Sequence, residues 1–213
     1  MGPEASAYFY SELIRRLKMS GRITRNADYA QMHLNSIPAP ELVTLEISRE
    51  KLEPYIEGIR ELAIHDPEFI VMVCNTIHLY RDHIMMESGF DNILSLREIV
   101  KEQLVGAEEP FCVLGTPLTV SSGLYHFTDR KYANPRGLDL EEIGNIVRHY
   151  NATGDTALNK ARLLAVVETQ KKLGAKTFLA ACTEVSELLH GTEDLQLVDT
   201  LEALINHVLK KLT

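Results

Sequence analysis

Two hydrophobic rhythms alternate along the chain: short unbroken apolar runs, and longer stretches in which apolar residues recur every three or four positions. Unbroken runs bounded by polar residues mark strands buried on both faces, and the 3.6-residue spacing marks helices with one apolar stripe. The clearest strands are predicted at Phe69-Ile70-Val71-Met72-Val73, Phe111-Cys112-Val113-Leu114, Thr177-Phe178-Leu179-Ala180-Ala181 and Leu195-Gln196-Leu197-Val198, with a weaker one over Ala30 to Leu34. Helical stripes run through Phe9, Leu13 and Leu17 after Pro3-Glu4, and through Leu52, Ile56, Ile59 and Ala63 from near Ser48. Two more run through Leu163, Val166, Val167 and Leu173, and through Leu201, Leu204, Ile205, Val208 and Leu212. This alternation predicts an α/β fold with parallel strands.

Within it there is an internal echo. Val71-Met72-Val73-Cys74-Asn75-Thr76 and Leu179-Ala180-Ala181-Cys182-Thr183-Glu184 share one form: an apolar strand that ends in cysteine and feeds an amphipathic stretch. Two similar lobes follow, with their junction near Asp91 to Leu96. The first lobe is expected over residues 1–95 plus 200–213, the last helix returning to it, and the second over 96–199.

Charge and composition narrow the classes of function. A formal net charge of −8 leaves no basic stripe to neutralise phosphates, which argues against nucleic acid as a partner. No apolar run approaches the roughly 18 to 20 residues of a membrane span, and no signal-peptide pattern opens the chain, so a cytoplasmic protein without membrane contact is expected. Three cysteines without close spacing do not read as a disulfide framework and suit a reducing compartment.

Those free thiols carry the candidate chemistry. Ligands of open parallel sheets bind beyond the carboxyl ends of the strands, where Cys74 and Cys182 are both predicted. Unpaired N–H groups at a helix start favour a thiolate. Moving an α-proton from one face of an amino acid to the other takes a base on one side and an acid on the other, and two opposed cysteines meet that need without pyridoxal or metal. Asn75, Thr76 and Thr183 stand beside them to hold the substrate carboxylate. A single cysteine after an apolar run is ordinarily a small core residue. Cys112, inside its strand, is read that way; it is the pairing that sets Cys74 and Cys182 apart. Cys74, His78 and Asp82, at i, i+4 and i+8, could also line one helix face as metal ligands, but a metal there would occupy the thiol needed as base.

These motifs resemble the aspartate/glutamate racemase superfamily, and within it the aspartate racemase branch. The likeness rests on Met1-Gly2-Pro3-Glu4-Ala5-Ser6, Cys74-Asn75-Thr76-x-His78, Leu114-Gly115-Thr116-x-x-Thr119 and Cys182-Thr183-Glu184, in the family's order. It implies two pseudo-symmetric α/β lobes, each with a parallel sheet flanked by helices, the site between them, commonly in a homodimer. It implies Cys74 and Cys182 as a cofactor-independent acid/base pair. Asn75, Thr76, Thr116 and Thr183 are then substrate contacts, joined by Met1 and Asn35, with His78 and Glu184 in support.

The pattern also departs from the family in three places. The strand that usually precedes Met-Gly-Pro, the first of the first lobe, is expected to be missing. Ala39-Pro40-Glu41-Leu42 stands where an acidic residue and a carboxylate-binding arginine often occur, and Asn151-Ala152-Thr153-Gly154 where a lysine does, with Lys160 out of register. The expected function is racemisation of aspartate or a related amino acid. The alternatives are a related decarboxylase or isomerase of small acids, and a non-catalytic amino-acid-binding protein.

Overall fold

The computed structural model of the chain describes residues 3–38, 40, 42 and 47–212. Helix α1 (Pro3–Met19) is followed by α2 (Arg49–Ala63), α3 (Arg81–Ser88) and α4 (Leu96–Gln103). Strand β1 (Phe111–Gly115) then leads through α5 (Pro117–Ser121), α6 (Leu138–Thr153) and α7 (Thr156–Lys172) to β2 (Thr177–Ala181). Helix α8 (Thr183–Leu189), β3 (Leu197–Asp199) and α9 (Thr200–Leu212) complete it.

The three strands form one parallel sheet in the order β1-β2-β3, with Phe111 opposite Thr177 and Gly115 opposite Ala181. Every residue of β1 and β2 is buried, as their continuous apolar runs require, because both faces are covered. Successive side chains alternate between faces. Phe111, Val113, Leu179 and Ala181 pack with Leu13 and Leu17 of α1, Val100 of α4 and Leu204 of α9. Cys112, Leu114, Phe178 and Ala180 pack with Ile143 and Ile146 of α6 and Leu163 and Val166 of α7. The predicted helical stripes are therefore the faces that close the sheet. Cys112 lies wholly within this second layer, as expected of a core thiol.

Local capping chemistry fixes the connections. Gly154 ends α6 in the left-handed region at φ 67°, and the Asp155 side chain accepts from the Leu158 N–H to start α7, so Gly154-Asp155 is a turn between helices.

Two predicted strands are not realised as ladders. Phe69 to Val73 makes one parallel bridge, Ile70 with Ile93, in which the Ile70 N–H donates to the Asn92 carbonyl at 2.9 Å. Ala30 to Leu34 carries no strand assignment. The reason is spacing: a cavity of about 380 Å³ is lined by both segments and by Phe9, Leu13, Val208 and Leu212. Ladder pairing needs neighbours about 4.8 Å apart. Ile70 and Met72 pack instead with Leu52, Ile56 and Ile59 of α2, whereas Val73 packs with Leu201 and Ile205 of α9. The fourth predicted strand is shifted, with its ladder at Leu197–Asp199. Among the described residues, no helix is long and apolar enough to cross a membrane.

Candidate active site

Cys74 sits where the extended run through Met72 and Val73 turns. Its N–H donates to the Met72 carbonyl at 3.0 Å, and the chain then winds into a 3₁₀ turn over Thr76–Tyr80. Burial pushes the thiol above its ordinary range, while the N–H groups of Ile77 and Thr76, aimed at the sulfur, pull the other way. His78, within this turn, donates from Nε2 back to the Met72 carbonyl at 3.1 Å. Burial lowers its pKa to about 4, so the ring is neutral and buttresses the Cys74 turn. Asp82 is 93% exposed, so the spaced Cys74, His78 and Asp82 do not converge.

Cys182 is the N-cap residue of α8, directly after β2. Its thiol donates to Glu184 Oε2 at 2.7 Å, and the Thr183 hydroxyl donates to the same oxygen at 2.9 Å. Burial, then the charge of Glu184 and this hydrogen bond, hold the Cys182 thiol well above its ordinary range. Both sulfurs meet a backbone N–H and feel the charge of Glu184, but only Cys182 is hydrogen-bonded to that carboxylate. The charge of Cys74 adds to the rise at Cys182, which puts the two sulfurs in one neighbourhood.

Both thiols open on one cleft of about 850 Å³, which Asn75, Thr76, Thr116, Thr183 and Glu184 also line. A triangle of buried hydroxyls ties its floor together, with Thr76 to Thr116 at 3.1 Å, Thr76 to Thr119 at 2.8 Å and Thr116 to Thr119 at 3.0 Å. Thr116 also caps α5 by accepting from the Thr119 N–H at 3.2 Å. This network joins the Cys74 turn to the end of β1, which lies beside the strand that delivers Cys182.

The remaining expected site residues separate. Asn35 is not brought to the cleft: its amide donates to the Gly58 carbonyl at 3.3 Å and to Glu61 Oε2 at 2.6 Å, so α2 holds it beside the smaller cavity. Met1 falls outside the described residues.

One residue invisible to the sequence reading joins the site. Tyr125, fully buried, donates its phenol to Asn75 Oδ1. Burial and then the charges of Cys74 and Cys182 keep that phenol protonated and therefore a donor. No local pattern announces this contact, because it spans 50 positions of sequence. Tyr125→Phe removes the donor and leaves a buried amide oxygen unsatisfied, a loss of about 1 to 3 kcal/mol. Turnover is expected to fall roughly ten-fold in kcat with KM little changed, since Asn75 is then free to rotate. Steady-state kinetics check this, and an unchanged kcat would remove Tyr125 as a positioning residue.

Comparisons with known proteins bear on the family and the fold. A family model described as Asp/Glu/Hydantoin racemase matches residues 1–208. The broad specificity amino-acid racemase RacX of Bacillus subtilis is 27% identical over 126 residues, a match that takes in 59% of this chain and 55% of RacX, or just over half of that relative's length. The solved structure of the Picrophilus torridus aspartate racemase superposes with a TM-score of 0.79 at 23% identity, covering 99% of this chain and 90% of that one. An aspartate racemase homologue from Pyrococcus horikoshii gives 0.71 at 21% identity, covering 99% and 94%. At these identities, the structural likeness concerns the fold.

Proposed function

The chain belongs to the Asp/Glu/hydantoin racemase family, and from that premise we propose that it inverts the α-carbon of an amino acid by proton transfer between Cys74 and Cys182, without a cofactor. The observation that carries this reading is that two thiols, each at the head of a helical turn, open on one cleft.

In this reading one sulfur, as thiolate, takes the α-proton while the opposing thiol delivers its own to the other face. The roles exchange for the other enantiomer. Glu184 accepts the Cys182 proton when that residue must act as base. The negative charge that develops at the α-centre spreads onto the substrate carboxylate, where the amide of Asn75 and the hydroxyls of Thr116 and Thr183 donate to it. Thr76 fixes Thr116 through the hydroxyl triangle. The cleft then lies between a lobe of residues 1–95 plus 200–213 and one of 96–199. A cytoplasmic homodimer is part of the same proposal, and three cysteines free of disulfides suit that compartment.

Incubation with single enantiomers in deuterated water tests the reading, which requires α-deuterium uptake together with loss of optical activity. Decarboxylation of substituted malonates or isomerisation of maleate in place of exchange would assign the cleft to another reaction. The pH profile has a definite sign. Burial raises both thiols, so the thiolate fraction at neutral pH is small and kcat/KM should climb about ten-fold per pH unit from roughly pH 6 to 8. A flat or falling profile over that window contradicts a thiolate base.

A further inference from the structure

The cleft has a lopsided charge. Four carboxylates line it, from Glu4, Glu184, Glu187 and Asp199, and among the described residues no lysine or arginine does. Nor does the sequence supply one at the undescribed positions, which are Met1, Gly2, Ala39, Glu41, Val43, Thr44, Leu45, Glu46 and Thr213. Arg148 adjoins Val147 of the lining in sequence, but its guanidinium donates to Asn145 Oδ1 at 2.6 Å and it is not part of the lining. The ammonium of Lys160 is held on the His190 carbonyl at 3.2 Å, and it too is not part of the lining.

Two of the four carboxylates are already engaged. Asp199 accepts from the Ser186 hydroxyl at 2.9 Å and from the Leu201 N–H at 2.8 Å, capping α9, and Glu184 serves Cys182 and Thr183. Glu4 and Glu187 are different: both are solvent-exposed parts of the lining and neither has an ion-pair partner among the described residues. Burial, and then the carboxylate of Glu187, raise the Tyr150 phenol to about 12 and keep it neutral. Tyr8 and Tyr150 add two aromatic rings to the same lining, and aromatic rings can attract a cation. The cleft of about 850 Å³ extends well beyond the two thiols, which leaves room for a long side chain.

Resting on the racemase reading above, we propose that the substrate side chain is long and positively charged, as in lysine, ornithine or arginine, and that dicarboxylic amino acids are disfavoured. With the α-carbon between Cys74 and Cys182, the side-chain cation lies toward Glu4 and Glu187, bounded by Tyr8 and Tyr150. A second carboxylate in the same place would enter a cleft lined by four others, with no described lysine or arginine in the lining to balance it. Like charges brought together in a partly desolvated site repel. A neutral side chain meets neither the attraction nor the repulsion and ranks between the two.

The test compares lysine, alanine and aspartate as single enantiomers in deuterated water at low ionic strength, following α-deuterium uptake by NMR, with calorimetric binding of each to the same protein. The expected result is a kcat/KM for lysine at least about ten-fold above aspartate, with the lysine-to-alanine ratio falling about ten-fold in Glu187→Gln. Because Glu187 is exposed, and because the readout is a ratio between substrates, reduced folding of the variant cannot imitate this outcome. Aspartate turned over as fast as lysine overturns the inference and leaves the racemase reading intact. Exchange with none of the three, while lysine binds and aspartate does not, overturns the racemase reading and preserves the preference for a cation. Neither turnover nor preferential binding of lysine overturns both.

Discussion

Cys74→Ala and Cys182→Ala are each expected to lower racemisation by about 10³-fold, within the range lost when a general acid or base is removed. The two variants should differ in an instructive way. Each keeps a thiol on one face of the substrate, so each still takes α-deuterium into one enantiomer, without inversion, and the enantiomers should be opposite. Chiral chromatography measures inversion and NMR measures uptake. The asymmetry of the two sites sharpens the expectation. The Cys182 thiol is anchored to Glu184 at 2.7 Å and held well above its usual pKa, whereas Cys74 rests against two backbone N–H groups. The variant that keeps Cys182 should therefore need a higher pH to reach its residual rate. Cys112→Ala is the control, since that thiol is buried among Leu114, Ile143 and Leu163 and should leave racemisation untouched. If both cleft variants racemise at the unaltered rate, the two-thiol mechanism is wrong.

A single methyl group placed beneath the cleft should be almost as damaging. Gly115 ends β1 opposite Ala181, and a Cβ there would lie 2.8 Å from the Ala181 carbonyl oxygen and 3.3 Å from both Ala181 Cβ and Thr119 Cγ2. The nearest of these atoms belongs to the backbone of the central strand and cannot rotate away. Gly115→Ala must spread β1 and β2 at the end where one delivers Thr116 and the other Cys182. Overpacking of this kind costs about 1 to 3 kcal/mol, which urea unfolding would register. The loss in kcat should be larger in proportion, about 10²-fold, because a displacement near 1 Å separates groups that must meet the substrate together. A variant with unchanged stability and unchanged kcat would show that the strand ends do not set the site geometry.

How much of this was legible beforehand depends on the range of the interaction concerned. The runs Phe111 to Leu114 and Thr177 to Ala181 identified the two central strands because burial on both faces removes polar alternation, and that is a local signature. The stripes through Leu13 and Leu17 and through Leu201, Leu204 and Val208 identified helices for the same reason. Phe69 to Val73 misled because composition reports that a segment is apolar and extended, not whether a neighbour lies at pairing distance. Thr116 and Thr119 announced a helix cap through their i, i+3 spacing, but nothing local revealed that Thr76, 40 positions earlier, closes a hydroxyl triangle on them. Asn35 stood beside a recognisable motif and was drawn instead to α2, where the Gly58 carbonyl and Glu61 offered partners.

The sequence by itself determined the α/β class, the helical faces, and the placing of two cysteines after apolar runs that feed helical turns. These follow from short-range periodicity, which each segment carries whatever surrounds it. Tertiary structure alone decided that Tyr125 secures Asn75, that Glu184 turns toward Cys182, and that the cleft around both thiols is lined with carboxylates and no described lysine or arginine. Those features depend on which side chains converge once the sheet and its helices have packed, and such convergence between distant positions has no local pattern to betray it.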